Sequence, residues 1–317
     1  MIPRRNSVEY NPFLIERGTR PLLVAHGGGN LEFPGNTLEA LFNTYSVYPN
    51  AMFELDVNMT RDGVIILSHC TTLDRRTNVQ GNIHDWYYTD LIAQEVNFNF
   101  FSPIRNGVRI DPEILIPFTN YAGRTVTPRD VSYPYGVRPR HDTIFLATTL
   151  EEVITTFPNN TISVEIKQRG EIGLAALDTV IDMMVRLDAR YNTFGRMVLA
   201  SFHSEIFERL VELRATHPNL MFSPNESGLI TLYMTHWVGL DWIYNTPITM
   251  IQIPTRQGSL PLDTRLFIRA VQRHNIAVHY WTINNEEDMR HLIAQGADGI
   301  TTGRPTLLKS ILDELFP

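Results

Sequence analysis

The chain has 317 residues, 43% of them hydrophobic, with 27 Lys and Arg against 34 Asp and Glu and a formal net charge of -7. Such a composition supports a sizeable core in one large domain or two ordinary ones, and an acidic balance with no basic run among aromatics argues against a nucleic-acid partner. Cys70 is the single cysteine, which excludes an intrachain disulfide and a cysteine-based zinc site.

In chain order, Met1 to Arg20 carries Arg4, Arg5, Glu9, Glu16 and Arg17 with no apolar stretch behind them, so no leader is read and a cytoplasmic location is expected. No later run approaches the roughly 20 apolar residues that span a bilayer. Short β-rich runs predict strands at Leu22 to His26, Met52 to Val57, Ile162 to Lys167, Met197 to Phe202, Leu220 to Ser223, Thr249 to Ile253, Ala277 to Ile283 and Gly299 to Thr302, with an extra hairpin arm at Val64 to His69. Amphipathic patterns between them predict helices at Thr37 to Tyr48, Leu174 to Leu187, Ser204 to His217, Gly228 to Val238, Thr264 to His274 and Asn285 to Gln295. Ser204 before Glu205 and Asn284-Asn285 before Glu286-Glu287 read as caps. Eight strands alternating with helices favour an α/β fold of the (β/α)8 TIM barrel type over a doubly wound sheet, which shares the same pattern.

One stretch, residues 70–147, breaks the rhythm. It is rich in Asn, Pro, Gly, Tyr and Phe, too long for an ordinary loop, and reads as an insertion within a single domain of residues 1–317. Placed after the hairpin, it is expected to hang over the catalytic end of the barrel and shape a substrate cleft, with some of Trp86, Tyr87, Tyr88, Phe98, Phe100 and Phe101 on the cleft and the rest in a small core of its own.

Candidate polar groups collect at strand ends. Glu54 and Asp56 lie two apart in the strand, so both carboxylates share one face while Phe53, Leu55 and Val57 bury the other. Two anions side by side call for a cation. Arg61-Asp62-Gly63 suits a tight hairpin turn, and a turn centred on Arg61 and Asp62 sets His69 opposite Glu54. Glu165 and Lys167 repeat the spacing on the third barrel strand. Three carboxylates are hard oxygen ligands that suit Mg²⁺ or Ca²⁺. Lys167 is read as a phosphate contact, or else as an ion-pair partner of Glu165. His26 opens His26-Gly27-Gly28-Gly29, where glycines permit positive φ or close approach to an anion. A divalent ion, a lysine and two histidines fit phosphodiester cleavage, one imidazole taking a proton and the other giving one.

Ala25-His26-Gly27-Gly28 leading to Phe33-Pro34-Gly35-Asn36-Thr37-Leu38-Glu39-Ala40, then Glu54-Leu55-Asp56-Val57 with Thr60-Arg61-Asp62-Gly63, resembles the glycerophosphodiester phosphodiesterase family. His69 with Thr72-Leu73-Asp74-Arg75, Glu165-Ile166-Lys167, Trp281-Thr282-Ile283-Asn284 and Gly296-Ala297-Asp298-Gly299-Ile300-Thr301-Thr302 extend the resemblance in order, from about Leu22 to Leu308. The resemblance implies a TIM barrel that hydrolyses glycerophosphodiesters, small-molecule substrates, to an alcohol and glycerol 3-phosphate with a bound Ca²⁺ or Mg²⁺. By position it makes His26 and His69 the acid/base pair and Glu54, Asp56 and Glu165 the metal ligands. Lys167 then contacts phosphate, and Trp281 is an aromatic of the substrate cleft.

Four positions depart from the family pattern. Gly27 stands where Arg usually follows the first histidine, and Gly35 where Glu usually follows the proline. Cys70 replaces a common Asp after the second histidine, and Gly303 a common Asp before Arg304-Pro305. Loss of the phosphate-facing arginine is expected to weaken or alter substrate binding. The expectation is a working hydrolase with a shifted substrate, such as a bulkier sugar- or lipid-bearing phosphodiester. The rivals are a phosphodiester-binding barrel without catalysis and a Schiff-base aldolase using Lys167, against which Glu165 counts by keeping that lysine protonated. Among the other histidines, His203 and His279 are secondary candidates for the cleft.

Overall fold

The computed structural model describes residues 8–225, 247–258 and 260–317. Eight parallel strands, Leu22–His26, Met52–Met59, Ile162–Ile166, Met197–Ala200, Met221–Phe222, Met250–Ile253, Ala277–Tyr280 and Gly299–Thr302, follow each other round a nearly closed barrel in chain order. Between the fifth and sixth strands one hydrogen bond, Thr249 N to Phe222 O at 3.0 Å, bridges the remaining gap. The expected TIM barrel is present, and the doubly wound alternative is not. The expected helix at Gly228 to Val238 lies outside the described residues.

Alternation along the strands builds two cores. Outward residues such as Leu23, Ala25, Phe53, Leu55, Val57, Val164 and Leu199 pack under the surrounding helices. Inward, Val24, Met52, Val198, Met221, Met250 and Ala277 form a separate cluster with Phe13. Asn11 fixes that plug by donating to Thr249 O at 2.8 Å and Asn275 O at 2.9 Å. The opening segment, legible in sequence only through its charges, thus closes the barrel at the strands' N-terminal end.

The helix Leu38–Val47 starts at the Thr37 cap, whose side chain accepts from Ala40 N, and Asn285 caps Glu286–Gln295 through Asp288 N. Ser204 is not a cap. His203 holds that position, with no side-chain bond to the helix N-terminus, because its extended backbone carries the strand exit one residue further and makes Ser204 the first helical residue. Helices at Leu150–Thr156 and Pro305–Leu315 complete the ring.

Between Leu67 and Leu150 the chain forms two 3-10 turns, the short helix Tyr88–Ala93 and a two-stranded hairpin, Ile104–Arg105 with Val108–Arg109. Arg140 ties its far end to the barrel helices, pairing with Glu39 at 3.3 Å and Glu152 at 3.2 Å. Of the six aromatics read in this stretch, Phe98 is buried, Phe100 is half-buried, Trp86 and Tyr88 pack against the main core, and Tyr87 and Phe101 are exposed.

The hairpin register is one residue off the expected one. Val57 faces Leu67, and Thr60 closes on Val64 with Thr60 N to Val64 O at 3.0 Å. The loop has three residues rather than two, since Gly63 adopts φ +78° and adds a left-handed residue after the turn. Ser68 therefore lies against Asp56, donating its N–H to Asp56 O at 2.9 Å, and His69 is not the partner of Glu54.

Candidate active site

Strand register decides which side chains meet. His26 pairs with Glu54, Glu54 with Ser163, and Asp56 with Glu165, so residues in register project inward together at the C-terminal end of the barrel. A cavity of about 240 Å³ opens there, lined by His26, Glu54, Asp56, His69, Glu165, Lys167 and Trp281 among others. All seven residues singled out in the sequence reach it.

Glu54 Oε2 lies 2.7 Å from His26 Nδ1 and 3.3 Å from Gly27 N. Burial disfavours the His26 imidazolium, but the charge and hydrogen bond of Glu54 outweigh it and raise its pKa. Asp56 is held from the loop before the first helix, where Asn36 Nδ2 donates to Asp56 Oδ2 at 2.9 Å and Asn36 Oδ1 accepts from Asp56 N at 3.1 Å. Asn36 makes both bonds from a left-handed backbone, φ +63°. Lys167 Nζ sits between Glu165 Oε1 at 2.8 Å and Asp56 Oδ1 at 3.4 Å, which realises its ion-pair reading. Burial works against its charge, yet Asp56 and Glu165 raise its pKa, which disfavours a Schiff-base lysine. Glu165 is pushed up to about 7 by burial, opposed by Lys167 and reinforced by Asp56 and Glu54.

His69 arrives from the bend that follows the hairpin arm. Burial lowers its pKa, Asp56 opposes that, and Lys167, Arg76 and His26 add to it. Its neighbour Cys70 places Sγ 3.9 Å from Nδ1, a weak partner compared with a carboxylate. What fixes this bend is Asn58, the next inward residue after Asp56. Its Nδ2 donates to Ser68 O at 2.7 Å and Cys70 O at 3.1 Å, on either side of His69.

Glu54, Asp56 and Glu165 each offer a carboxylate oxygen, and these atoms lie within 4.8 Å of one another. The set is all oxygen and, with Glu54 and Asp56 buried, carries more negative charge than one lysine offsets. Those features fit a hard divalent cation.

Other residues went unread in the sequence. Asn36 sits inside a quoted motif and Asn58 continues the Glu54, Asp56 alternation, so both had a signal. Gln252, which donates to Ser163 Oγ at 3.0 Å across the barrel, had none. Phe202 stands edge-on to Trp281, centroids 6.4 Å apart, on the cavity wall. Of the secondary histidines, His203 bonds Lys167 O at 3.1 Å. His279 is fully buried at the other end of the barrel, beside Phe13, with its pKa lowered to about 4 by burial.

A model of the glycerophosphoryl diester phosphodiesterase family matches residues 26–307, a span that contains all seven of these cavity residues. The chain belongs to this family. A lysophospholipase D of Mus musculus is 24% identical over 315 residues, covering 92% of this chain and 82% of its own. A glycerophosphodiester phosphodiesterase of Bacillus subtilis is 24% identical over 305 residues, covering 92% and 86%. Among solved structures, the phosphodiesterase of Oleispira antarctica in complex with the product sn-glycerol-3-phosphate superposes with a TM-score of 0.62 at 17% identity, over 93% of this chain and 97% of that one. A glycerophosphoryl diester phosphodiesterase domain of Mycobacterium tuberculosis gives 0.66 at 16% identity, over 92% and 99%. Glycerophosphoryl diester phosphodiesterases are phosphodiester hydrolases, and this chain is one in fold and family. Among the described residues no helix is long and apolar enough to cross a membrane.

Proposed function

We propose that the chain hydrolyses glycerophosphodiesters to an alcohol and glycerol 3-phosphate in a metal-dependent reaction, with His26 and His69 exchanging the protons. The observation that carries this reading is the convergence of three carboxylates and two imidazoles on one cavity, brought by three strands and the bend after the hairpin arm. A divalent cation held by Glu54, Asp56 and Glu165 supplies positive charge to the phosphoryl oxygens.

The protein groups do the rest. One imidazole accepts a proton from the attacking water as its oxygen bonds phosphorus, and the other gives a proton to the departing alcohol oxygen as the P–O bond breaks. Glu54 holds His26 through Nδ1 and leaves Nε2 for the exchange, while Asn58 sets the height of His69. Lys167 pairs with Asp56 and Glu165 and would also contact the phosphate. Beyond the polar floor, Phe202, Pro224 and Trp281 make an apolar wall. That wall favours a bulky or lipid-bearing alcohol, and the insertion residues Arg75, Arg76 and Phe98, which line a smaller neighbouring chamber, shape the other side of the cleft.

The test is product analysis on glycerophosphodiesters, lysophospholipids and sugar phosphodiesters with each metal in turn. Release of glycerol 3-phosphate or of its acylated form, abolished by a chelator and restored by Mg²⁺ or Ca²⁺, is expected. Full turnover in the chelator would refute the metal dependence, and binding without any product would leave a binding barrel.

A further inference from the structure

Beside the main cavity lies a second, of about 130 Å³, lined by Asn30, Gly35, Asn36, Ser68, Arg75, Arg76 and Phe98 together with His26, Asp56 and His69. The last three residues also line the main cavity, so the two chambers meet across the histidines. Their chemistry differs. Lys167, the cation of the main chamber, is already engaged by Asp56 and Glu165. Arg75 and Arg76 are half-buried side by side and neither has a carboxylate partner among the described residues; both instead lie over the Phe101 ring, at 5.0 and 5.5 Å. The loop Gly27 to Gly29 brings no charge to this side.

Two adjacent guanidinium groups repel each other and have given up part of their hydration; Asp56 on the shared wall offsets the Arg76 charge in part, and a bound oxyanion relieves the rest. Their loop is built to hold them there. The buried Arg109 donates from Nη2 to the carbonyls of Asp74 at 2.9 Å, Thr77 at 2.7 Å and Val79 at 3.2 Å, while Asp74 accepts from Gly81 N at 2.9 Å and Arg109 N at 3.1 Å. Ser102 N and Phe100 N bond the carbonyls of Arg75 and Arg76 from the other side. Gly35 leaves the chamber open, since a Cβ there would stand 2.6 Å from Asn30 Cβ.

We propose that Arg75 and Arg76 form an oxyanion subsite that holds phosphoryl oxygens of the substrate on the side of the histidines away from Lys167. Guanidinium forks match phosphate oxygens in geometry, and Asn30 lines the same chamber. The oxygens belong either to the scissile phosphodiester or to a second phosphate carried by the substrate. This subsite rests on the hydrolase reading for its place in the reaction, but its affinity for phosphate does not.

The experiment uses the full chain, with Arg75→Gln, Arg76→Gln and Arg76→Lys. Binding of inorganic phosphate and glycerol 3-phosphate is measured by calorimetry in Mg²⁺ or Ca²⁺. KM and kcat are measured on two glycerophosphodiesters, one whose alcohol is uncharged and one whose alcohol bears a phosphomonoester. Arg76→Gln should weaken phosphate binding and raise KM about ten-fold, with partial recovery in Arg76→Lys and a melting temperature unchanged or higher, because an unpaired charge is removed. An equal rise on both substrates puts the scissile phosphate in the subsite, and a rise confined to the second puts the extra phosphate there. Wild-type protein that binds no phosphate, or glutamine variants within about two-fold of it on every measure, would overturn the proposal. Phosphate binding that depends on Arg76 in a chain that hydrolyses none of the substrates would keep the subsite and remove the hydrolase reading.

Discussion

The two ends of this barrel are made by the same strands and have opposite chemistry. At one end the inward residues are Val24, Met52, Val198, Met221, Met250 and Ala277, sealed by Phe13. At the other, two or four residues further along, they are His26, Glu54 and Asp56, joined by Glu165. Histidine shows the difference most directly. His279, buried in the sealed end with only the Phe13 carbonyl at 3.1 Å for Nε2, has its pKa lowered to about 4. His26, beside the Glu54 carboxylate, has its pKa raised despite burial. Position along the strand, rather than residue type, decides whether burial or a neighbouring carboxylate sets the pKa of an imidazole.

The sharpest way to break that contrast is to neutralise the open end. Asp56→Asn or Glu54→Gln should lower kcat by about three orders of magnitude or more, the several kcal/mol that a bound cation contributes to charge stabilisation. Both variants should also lose calorimetric binding of Mg²⁺ or Ca²⁺. Their melting temperature should hold or rise, since each removes one of three crowded carboxylates. A variant that keeps turnover while losing the metal would separate the two roles given to these groups.

The sealed end is tested through stability against pH. The His279 pKa is depressed from 6.5 to about 4 in the fold, so its contribution is present above the unfolded value and lost as pH falls through the folded one. A shift of that size is worth about 3 kcal/mol. Asp298 runs the other way: burial raises it from 3.8 to about 6, so its contribution is present below the unfolded value and lost as pH rises through the folded one. Between pH 6 and 4 the two nearly cancel. Urea unfolding should therefore find His279→Gln less stable than wild type at pH 7, with the gap closing by about 3 kcal/mol on acidification to pH 4. A gap that stays constant would mean that His279 does not titrate with folding.

Asn58 tests whether the open end is positioned as tightly as it is charged. Asn58→Ala removes both bonds that flank His69. It should lower kcat about ten- to hundred-fold, the usual scale for a group that orients a reacting one, with little change in metal affinity. Equal loss in an Asn58→Ala/His69→Ala double variant and in His69→Ala alone would show that Asn58 acts through His69.

Much of this was legible in the sequence, for a reason that differs from residue to residue. Glu54, Asp56, Glu165 and Lys167 were found because strand alternation is local: a spacing of two fixes a face whatever the rest of the chain does. The hairpin register was missed because it hung on a single backbone angle at Gly63, and a residue more in the loop moved His69 off Glu54. His69 reached the cavity by leaving the ladder, which Asn58 arranges from a distance in sequence of about one hairpin. The plug at Phe13 and the bond from Gln252 to Ser163 span the barrel, and nothing local announces them. Gly27 and Gly35 were seen as departures, but only the structure shows that they are neighbours. A Cβ on Gly27 would lie 3.5 Å from the Gly35 Cα, so the two positions at which the resemblance expects side chains of opposite sign share one spot.

The smallest expected effect concerns the join between the open end and the helix layer. Thr37 is buried, donates to Pro34 O at 2.6 Å and accepts from Ala40 N at 3.2 Å, so one hydroxyl both shapes the Pro34 to Asn36 turn and caps the helix. Thr37→Ala should cost about 1 kcal/mol of stability from the lost cap. It should also relax Asn36, whose left-handed backbone is set by that turn and whose side chain holds Asp56 on two sides. The expected result is a metal affinity lower by a few-fold together with the stability loss, and recovery of both in Thr37→Ser, whose hydroxyl can make the same two bonds. If stability falls and metal affinity does not, Asp56 is fixed by its strand alone, and the open end of the barrel owes its geometry to register rather than to the loops above it.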